Sequence, residues 1–316
     1  MTEERLTHVI YIAGAGRSGS TLLSNLLGQL PGAVNVGELY YLWERGLRDN
    51  ILCGCGTPVR ECPFWVSVLR RTEQAMGVDN LEPLLAAGVQ GARTRYLVLM
   101  STAAGRRRFV TRSQPFVHVL RHLYRAIRDE TGCRWIVDAS KFPTYGYLLT
   151  RTPGLQVSVV HLIRDARAVA FSWQRRKPSP DSGGELFGRM STSRSALIWD
   201  TWNVGAELLG RLQPSGAYCR LRYEHFIQDA AGELGNIITM SDLQTGAENV
   251  VRDGVVTMRQ AHTIGGNPVR FEKTMTLRLD SEWKRAMPPA QRRLTTLLTY
   301  PLLRRYHYGR HGSQEQ

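Results

Sequence analysis

The feature that most constrains this chain is a short apolar strand that runs through a glycine-rich turn into an amphipathic helix. Residues 8–13 read HVIYIA, a β-branched and aromatic run typical of a buried strand. The turn GAGRSGST follows at 14–21, and TLLSNLLGQL from Thr21 has the apolar spacing of a helix. A strand that feeds a helix on its carboxyl side indicates an α/β fold with a parallel sheet.

Two further strand–helix units support the same fold class. The strand WIVD at 135–138 precedes the polar turn ASKFP, and VSVVHLI at 157–163 precedes Arg164 and the helix-like DARAVAFSWQRR. One more strand, YCRLRY, lies at 218–223. We therefore predict a three-layer α/β sandwich with a central parallel sheet flanked by helices.

The rest of the chain is assigned by period and composition. Residues 40–130 are mostly helical by apolar period, and residues 177–192 carry the Pro, Ser and Gly of a mobile loop. No repeat of 20 to 50 residues is visible, so residues 1–316 are expected to form a single domain.

Composition excludes several classes of protein. The 42% hydrophobic and 22% charged content describes a globular chain rather than a disordered one. The net charge is +14, but only 4 of the 41 basic residues are Lys, and no recognisable nucleic-acid module accompanies them, so no nucleic-acid partner is predicted. We expect no secretory signal, no transmembrane segment and a cytoplasmic location, while the oligomeric state stays open.

The glycine-rich turn has the composition of a phosphate cradle. Backbone N–H groups in such a turn converge on an anion, and the helix N-terminus adds its dipole. In the loops of nucleotide triphosphatases a Lys reaches the β- and γ-phosphates, but Ser20 stands at that position and the positive charge is Arg17. This disfavours a P-loop kinase or ATPase, which remains the alternative function.

A second anion site is predicted where the strand at 157–163 ends. Arg164 stands at the carboxyl end of that strand, and Ser172 lies about two turns into the next helix. Ligands of open α/β sheets bind at this edge, and a guanidinium with a hydroxyl suits a phosphate.

Together these motifs resemble sulfotransferases that use 3′-phosphoadenosine 5′-phosphosulfate (PAPS). GAGRSGSTLLSNLL is similar to their 5′-phosphosulfate loop, and VVHLIRDARAVAFS to their 3′-phosphate element. Further similarities are VGE at 36–38, DASK at 138–141, RYE at 222–224 and GGNPVR at 265–270. The resemblance covers most of residues 8–283 and is strongest to the bacterial branch, with some kinship to tyrosylprotein sulfotransferases.

The resemblance implies a donor site, with PAPS as co-substrate and 3′-phosphoadenosine 5′-phosphate (PAP) as product. It assigns Arg164 and Ser172 to the 3′-phosphate, Tyr223 to the neighbourhood of the adenine and Arg270 to that of the 3′-phosphate. The residues that it assigns to the 5′-phosphosulfate are Gly16, Arg17, Ser18, Gly19, Ser20 and Thr21.

The resemblance also implies a catalytic set of Arg17, Glu38 and Lys141. Lys141 matches a lysine that stabilises the transferring sulfuryl group, and Glu38 matches a catalytic glutamate that serves as base. Partial burial can raise the pKa of a carboxylate toward neutrality, which suits a base. Because the cytosolic branch uses a histidine, His118 and His122 are rival bases, whereas His161 within an apolar strand is expected to be a core residue.

Cys53, Cys55 and Cys62 lie within ten residues. The usual C-x2-C spacing is absent, and no nearby His or fourth Cys completes a tetrahedron, so we predict no metal and expect a structured loop, with a disulfide as one option. The odd total of five Cys fits a reducing compartment.

The acceptor is expected to be a hydroxyl of a small-molecule or lipid-like compound, bound on the side of the helical region at 40–130. A group of aromatic residues follows the cradle and fits either an acceptor pocket or the core equally well. Its members are Tyr40, Tyr41, Trp43, Phe64 and Trp65.

Overall fold

Five parallel strands form the sheet at the centre of the described residues. They are β1 (Thr7–Ala13), β2 (Ala33–Gly37), β3 (Trp135–Lys141), β4 (Leu155–Ile163) and β5 (Tyr218–Arg222), in the order β2-β3-β1-β4-β5. This computed structural model describes residues 6–175, 188–241 and 254–309. The prediction of an α/β fold with a parallel sheet is confirmed.

Two details of the sheet differ from the sequence prediction. The edge strand β2 was not predicted, because it is short and its centre is the polar Asn35. Strand β3 continues to Lys141, so the turn predicted from Ala139 onward is wrong. The polar residues do not end the strand because Asp138 accepts hydrogen bonds from both the N–H (2.8 Å) and the hydroxyl (2.5 Å) of Ser140.

Helices cover the sheet and fill the segment between β2 and β3. That segment holds a π-helix (Leu42–Arg48), short 3-10 helices, α2 (Pro63–Met76), α3 (Glu82–Gly91), α4 (Ala103–Arg112) and α5 (Gln114–Thr131), as the sequence predicted for 40–130. The other helices are α1 (Ser20–Gln29), α6 (Pro143–Thr150), α7 (Ala166–Gln174), α8 (Thr192–Arg211), α9 (Tyr223–Gln228), α10 (Ala230–Met240), α11 (Trp283–Ala286) and α12 (Pro289–Arg305).

A small antiparallel ribbon lies outside the main sheet. Its strands are β6 (Val255–Thr257) and β7 (Thr274–Thr276). The predicted mobile loop at 177–192 lies mostly outside the described residues, and helix α8 already begins at Thr192.

Alternate residues of β1 pack on opposite faces of the sheet. Val9 and Tyr11 join a core cluster with α2, α5 and α6, whereas Ile10 and Ile12 join a cluster with α1 and α10. All four side chains are at most 1% exposed, and burial of each contributes about 1.5 to 3 kcal/mol. Both faces are therefore covered, as a three-layer sandwich requires.

The aromatic residues after the cradle belong mainly to the core. Tyr40, Phe64 and Trp65 are buried in the first cluster, and Tyr40 stacks on Phe142 with ring centroids 3.9 Å apart. Tyr41 and Trp43 are half-buried beside them. Among the described residues, no helix combines the length and the apolar character that a membrane crossing requires.

Candidate active site

The glycine loop between β1 and α1 has a backbone that few sequences can adopt. Gly14 has φ of 124°, and a Cβ there would lie 2.2 Å from the Leu162 carbonyl oxygen. Arg17 (φ 65°) and Gly19 (φ 92°) are also left-handed, which costs a non-glycine residue about 1 to 2 kcal/mol. Successive turns of this kind aim backbone N–H groups at one point ahead of the helix N-terminus.

Ser18 lies in the middle of this loop with an unsatisfied hydroxyl. The residue is 1% exposed, and its Oγ has no hydrogen-bond partner among the residues that the structure describes. A buried hydroxyl without a partner is costly, so the loop is arranged for a polar ligand. Ser20 and Thr21 follow in the first turn of α1.

Arg17 supplies a positive charge to the loop. Its guanidinium lies 4.7 Å from the centroid of the Trp173 ring. Burial lowers the pKa of Arg17, and the nearby Glu38 carboxylate opposes that shift. The Arg17 carbonyl accepts a hydrogen bond of 3.1 Å from Nη1 of Arg164, so the loop is tied directly to the end of β4.

Arg164 and Tyr223 connect the two predicted anion sites. The Arg164 guanidinium lies 4.5 Å from the centroid of the Tyr223 ring, and that ring packs so closely on Gly19 that a Cβ there would be 2.5 Å away. Ser172 is buried on α7, the helix that follows Arg164. The Tyr223 ring thus packs against both Gly19 of the glycine loop and the Arg164 guanidinium.

Asp280 was missed by the sequence analysis, because nothing in LRLDSEW distinguishes it from a surface acid. One of its oxygens lies 3.2 Å from Nη2 of Arg164, and Arg175 donates two hydrogen bonds of 2.9 Å to the carboxylate. Burial alone would raise the pKa of Asp280, but the hydrogen bonds from Arg175 and the charge of Arg164 outweigh it and lower the pKa. A carboxylate therefore occupies the cationic site at the end of β4.

Glu38 and Lys141 form a buried ion pair. Lys141 Nζ lies 2.7 Å from Glu38 Oε1 and also donates to the Ala139 carbonyl at 2.8 Å. Their side chains are only 13% and 7% exposed. Lys141 has φ of 72°, and the N–H of Glu38 donates to the Ile264 carbonyl at 2.7 Å. The structure thus brings together two residues that the sequence predicted separately.

A hydrogen-bonded network around Asp138 supports the Glu38–Lys141 pair. Besides Ser140, the buried Asp138 accepts a hydrogen bond from the Tyr124 hydroxyl at 2.5 Å, and the Ser140 Oγ accepts one from the N–H of Tyr40 at 2.9 Å. Burial raises the pKa of Asp138 to about 6, although the bonds from Ser140 and Tyr124 oppose the rise. The network fixes the strand that carries Lys141.

The loop at 265–270 closes one side of the site. A small cleft is lined by Thr21, Glu38, Gly265, Gly266 and Arg270, among others. The N–H of Asn267 donates to Oγ1 of Thr21 at 3.1 Å, and Arg270 donates to the carbonyls of Gly265 and Leu52. The structure therefore places Arg270 beside Glu38 and Thr21, and its assignment to the 3′-phosphate remains a prediction.

The three histidines considered from sequence lie in different settings. His118 is exposed and His122 half-buried on α5, a helix that packs on α2 and α3. His161 is fully buried and hydrogen-bonds to Asn203 at 2.8 Å and Tyr218 at 2.9 Å, while burial lowers its pKa to about 4. The prediction that His161 is a core residue is confirmed.

The expectation that no fourth ligand completes the cysteine group is wrong. His262, which lies 200 residues beyond Cys62, places its imidazole against Cys53, Cys55 and Cys62. All three cysteines are free thiols rather than disulfide partners. Sequence proximity was the wrong criterion, because strand pairing brings the segment before Ile264 back to Gly37 and the cysteine loop.

The structure is an α/β fold in which the glycine loop, Lys141 and Arg164 lie at the carboxyl ends of the parallel strands. Comparison with known sequences gives the class, since the profile of the sulfotransferase family matches residues 10–246. The chain belongs to the sulfotransferase family. No curated protein matches it in sequence.

Two solved structures are similar in fold. The sulfotransferase domain from the Synechococcus PCC 7002 olefin synthase shares 20% identity at a TM-score of 0.51, over 96% of each chain. The sulfotransferase domain from the curacin biosynthetic pathway shares 13% identity at a TM-score of 0.51, over 93% of this chain and 97% of that domain. Both likenesses confirm the sulfotransferase fold.

Proposed function

We propose that this chain is a single-domain enzyme that transfers a sulfuryl group from PAPS to a hydroxyl of a small-molecule or lipid-like acceptor. The main support is the glycine loop, where the buried Ser18 hydroxyl lacks a partner among the described residues. Arg164 donates a hydrogen bond to the backbone of the same loop. Family membership supplies the reaction class.

The donor requires two anion sites because it carries anions at both the 3′ and 5′ positions. In our proposal the 5′-phosphosulfate binds the backbone of Gly16 to Thr21 together with Ser18 and Arg17. Arg164 and Ser172 bind the 3′-phosphate, which takes over the contact that Arg164 now makes with Asp280. Tyr223 and Arg270 complete the nucleotide site.

Bound PAPS supplies a sulfuryl group with a phosphate as its leaving group. The acceptor oxygen forms a bond to sulfur while the bond from sulfur to the phosphate oxygen breaks, and the nucleotide leaves as PAP. Glu38 takes the proton of the acceptor hydroxyl, and Lys141 and Arg17 offset the negative charge that grows on the sulfuryl and leaving oxygens. No metal is required for these steps, because the residues themselves provide the base and the cations.

The ion pair determines where the acceptor must approach. Base and cation are 2.7 Å apart, so the hydroxyl that reaches Glu38 also reaches the charge of Lys141. We assign the helices at 40–130 to the acceptor side. The two similar domains come from an olefin synthase and a biosynthetic pathway, which favours a small-molecule or lipid-like acceptor.

Calorimetry with PAP, AMP and ATP tests the donor site. The wild type should bind PAP with micromolar affinity and AMP far more weakly, because AMP lacks the 3′-phosphate. Arg164→Ala should lower the affinity for PAP by about 100-fold and leave that for AMP within about threefold. Arg211→Ala removes an arginine that is 69% exposed outside the site and should change neither affinity.

Two outcomes would contradict the proposal. Equal affinity for ATP and PAP would favour the P-loop kinase or ATPase that Ser20 disfavours. An unchanged PAP affinity in Arg164→Ala would remove the second anion site. Transfer of labelled sulfuryl from PAPS to a panel of hydroxyl compounds then identifies the acceptor.

A further inference from the structure

The loop that carries Cys53 and Cys55 is tightly folded. The N–H of Cys53 donates to the Thr57 carbonyl at 2.8 Å, and the N–H of Gly56 donates to the Cys53 carbonyl at 2.8 Å. Gly56 has φ of 89°, which a glycine adopts without strain. This short turn directs both cysteines toward Cys62, the residue that precedes α2.

His262 completes the group from a distant part of the chain. Its Nδ1 lies 3.3 Å from Sγ of Cys62 and 3.7 Å from Sγ of Cys53. The Cys62 sulfur lies 3.6 Å from that of Cys55 and 3.7 Å from that of Cys53. The four ligand atoms all lie within 4.8 Å of one another.

These separations match those around a tetrahedral zinc ion. With Zn–S bonds of about 2.3 Å and Zn–N bonds of about 2.0 Å, the edges of the tetrahedron are about 3.8 Å between sulfurs and about 3.5 Å from sulfur to nitrogen. The two S–S distances (3.6 and 3.7 Å) and the two S–N distances (3.3 and 3.7 Å) agree with these edges. They also exceed the disulfide bond length of about 2.05 Å.

Packing of small apolar thiols does not explain the orientation of the imidazole. His262 stacks on Phe64, with ring centroids 4.6 Å apart and the planes 15° from parallel, and this stacking directs Nδ1 at two sulfurs. Cys53 and Cys62 are fully buried, and Cys55 and His262 are half-buried beside them. Thiolates with one imidazole are a ligand set that selects zinc.

We propose that Cys53, Cys55, Cys62 and His262 bind a structural zinc ion. All four positions are filled by protein ligands, so the ion has no open position for water or substrate and takes no part in sulfuryl transfer. The inference goes beyond the proposed function and does not depend on it.

The zinc ion would connect the cysteine loop to the backbone that supports the active site. The N–H of Gly54 donates to the Thr263 carbonyl at 3.0 Å, next to His262. One residue further on, Ile264 pairs with β2 through its N–H to Val36 (2.9 Å) and through its carbonyl to the N–H of Glu38 (2.7 Å). Loss of the metal should therefore loosen Glu38 and the loop at 265–270.

Metal analysis of the untagged chain of 316 residues tests the site directly. Protein purified without chelators should contain about one zinc ion per chain. Cys55→Ser and His262→Ala should lose the zinc, whereas His262→Cys should retain it, because four thiolates also form a structural zinc site. Cys219→Ser, which changes a half-buried thiol on β5 outside the group, should retain it fully.

A second measurement uses the wild type and therefore does not depend on whether the variants fold. Wild-type protein stripped of metal and reloaded with Co²⁺ should show thiolate-to-cobalt charge transfer and the visible bands of a tetrahedral ion. Stripping should lower Tm by about 10 °C, and zinc should restore it.

Three results would overturn the proposal. One is protein that holds no zinc after incubation with zinc under reducing conditions and desalting. Another is full zinc content in Cys55→Ser. The third is a purified chain that contains iron with cluster absorption, or a disulfide within the cysteine group, in place of zinc.

Discussion

Strands β3 and β4 each end in a cation at the same edge of the sheet, but the two cations are held differently. Lys141 pairs with Glu38, the residue that follows the neighbouring strand β2, and both side chains are at least 87% buried. Arg164 pairs with Asp280, which is 30% exposed, lies between β7 and α11, and also binds Arg175. The buried Glu38–Lys141 pair suits a catalytic role, because its two groups are held in place. Asp280 lies on a connecting segment, so a ligand can replace it as the partner of Arg164.

The largest effect is expected at the end of β3. Lys141→Ala should lower kcat by about 10² to 10³-fold, because one charge that stabilises the transition state is lost, and should change PAP affinity by less than about threefold. Steady-state kinetics with saturating PAPS and calorimetry with PAP measure the two quantities. Lys284→Ala, an exposed lysine on α11, is the control.

The variant Lys141→Gly distinguishes the catalytic role of the Lys141 side chain from the strain of its backbone. Glycine adopts the left-handed φ of 72° without penalty, so this variant should unfold at higher denaturant than Lys141→Ala while its kcat is equally low. Recovery of kcat in the glycine variant would mean that Lys141 acts through strand geometry alone.

The two strands should respond to acid in opposite directions. His161 on β4 has its pKa lowered from 6.5 to about 4 by burial, so the unfolded chain binds the proton first and stability is lost as pH falls through that window. Asp138 on β3 has its pKa raised from 3.8 to about 6 by burial, so the folded chain binds the proton first and stability is gained as pH falls.

Each contribution is about 3 kcal/mol across its window, so the two nearly cancel in the wild type. Denaturant unfolding at pH 7 and pH 4 measures them separately. Relative to wild type, His161→Asn should gain about 3 kcal/mol of stability on acidification, and Asp138→Asn should lose about as much. Parallel pH profiles for the wild type and both variants would contradict this assignment.

The smallest effect is expected for Asp280, the acidic partner of Arg164. Asp280→Asn should tighten PAP binding by about fivefold, since the amide competes less well than the carboxylate for Arg164. Glu282→Gln also removes one negative charge beside Arg175, but no described contact joins Glu282 to Arg164, so it should change the affinity by less than about twofold. Weaker PAP binding in Asp280→Asn would mean that the acid positions Arg164 rather than competing for it.

The features that were predicted correctly from the sequence are those that a local pattern of residues determines. The run at 8–21 was sufficient for the strand, the glycine loop and the helix, and four of the five strands in the described sheet (β1, β3, β4 and β5) were predicted from the sequence. Arg164 was found because its position follows from the end of a strand. Strand β2 was missed because AVNVG is short and places Asn35 in the sheet, where a hydrogen bond of 2.8 Å to Asn25 satisfies it.

The remaining features depend on contacts between distant segments. Glu38 and Lys141 were each predicted, but their ion pair exists only because β2 and β3 are neighbours in the sheet. Asp280 reaches Arg164, and His262 reaches the cysteine group, from the last fifth of the chain, and no local motif marks either residue. Pairing of this kind is decided by tertiary packing, which a pattern within one segment does not report.

The hydrogen bond from Arg164 to the Arg17 carbonyl has a consequence for how tightly a ligand with two anions is held. It links the two anion sites of our proposal within the protein itself. Once one end of such a ligand is bound, the other end meets its site at the effective concentration of an intramolecular reaction. A nucleotide with a single anionic group gains nothing from this second step, so the proposed donor site would select by spacing as well as by charge.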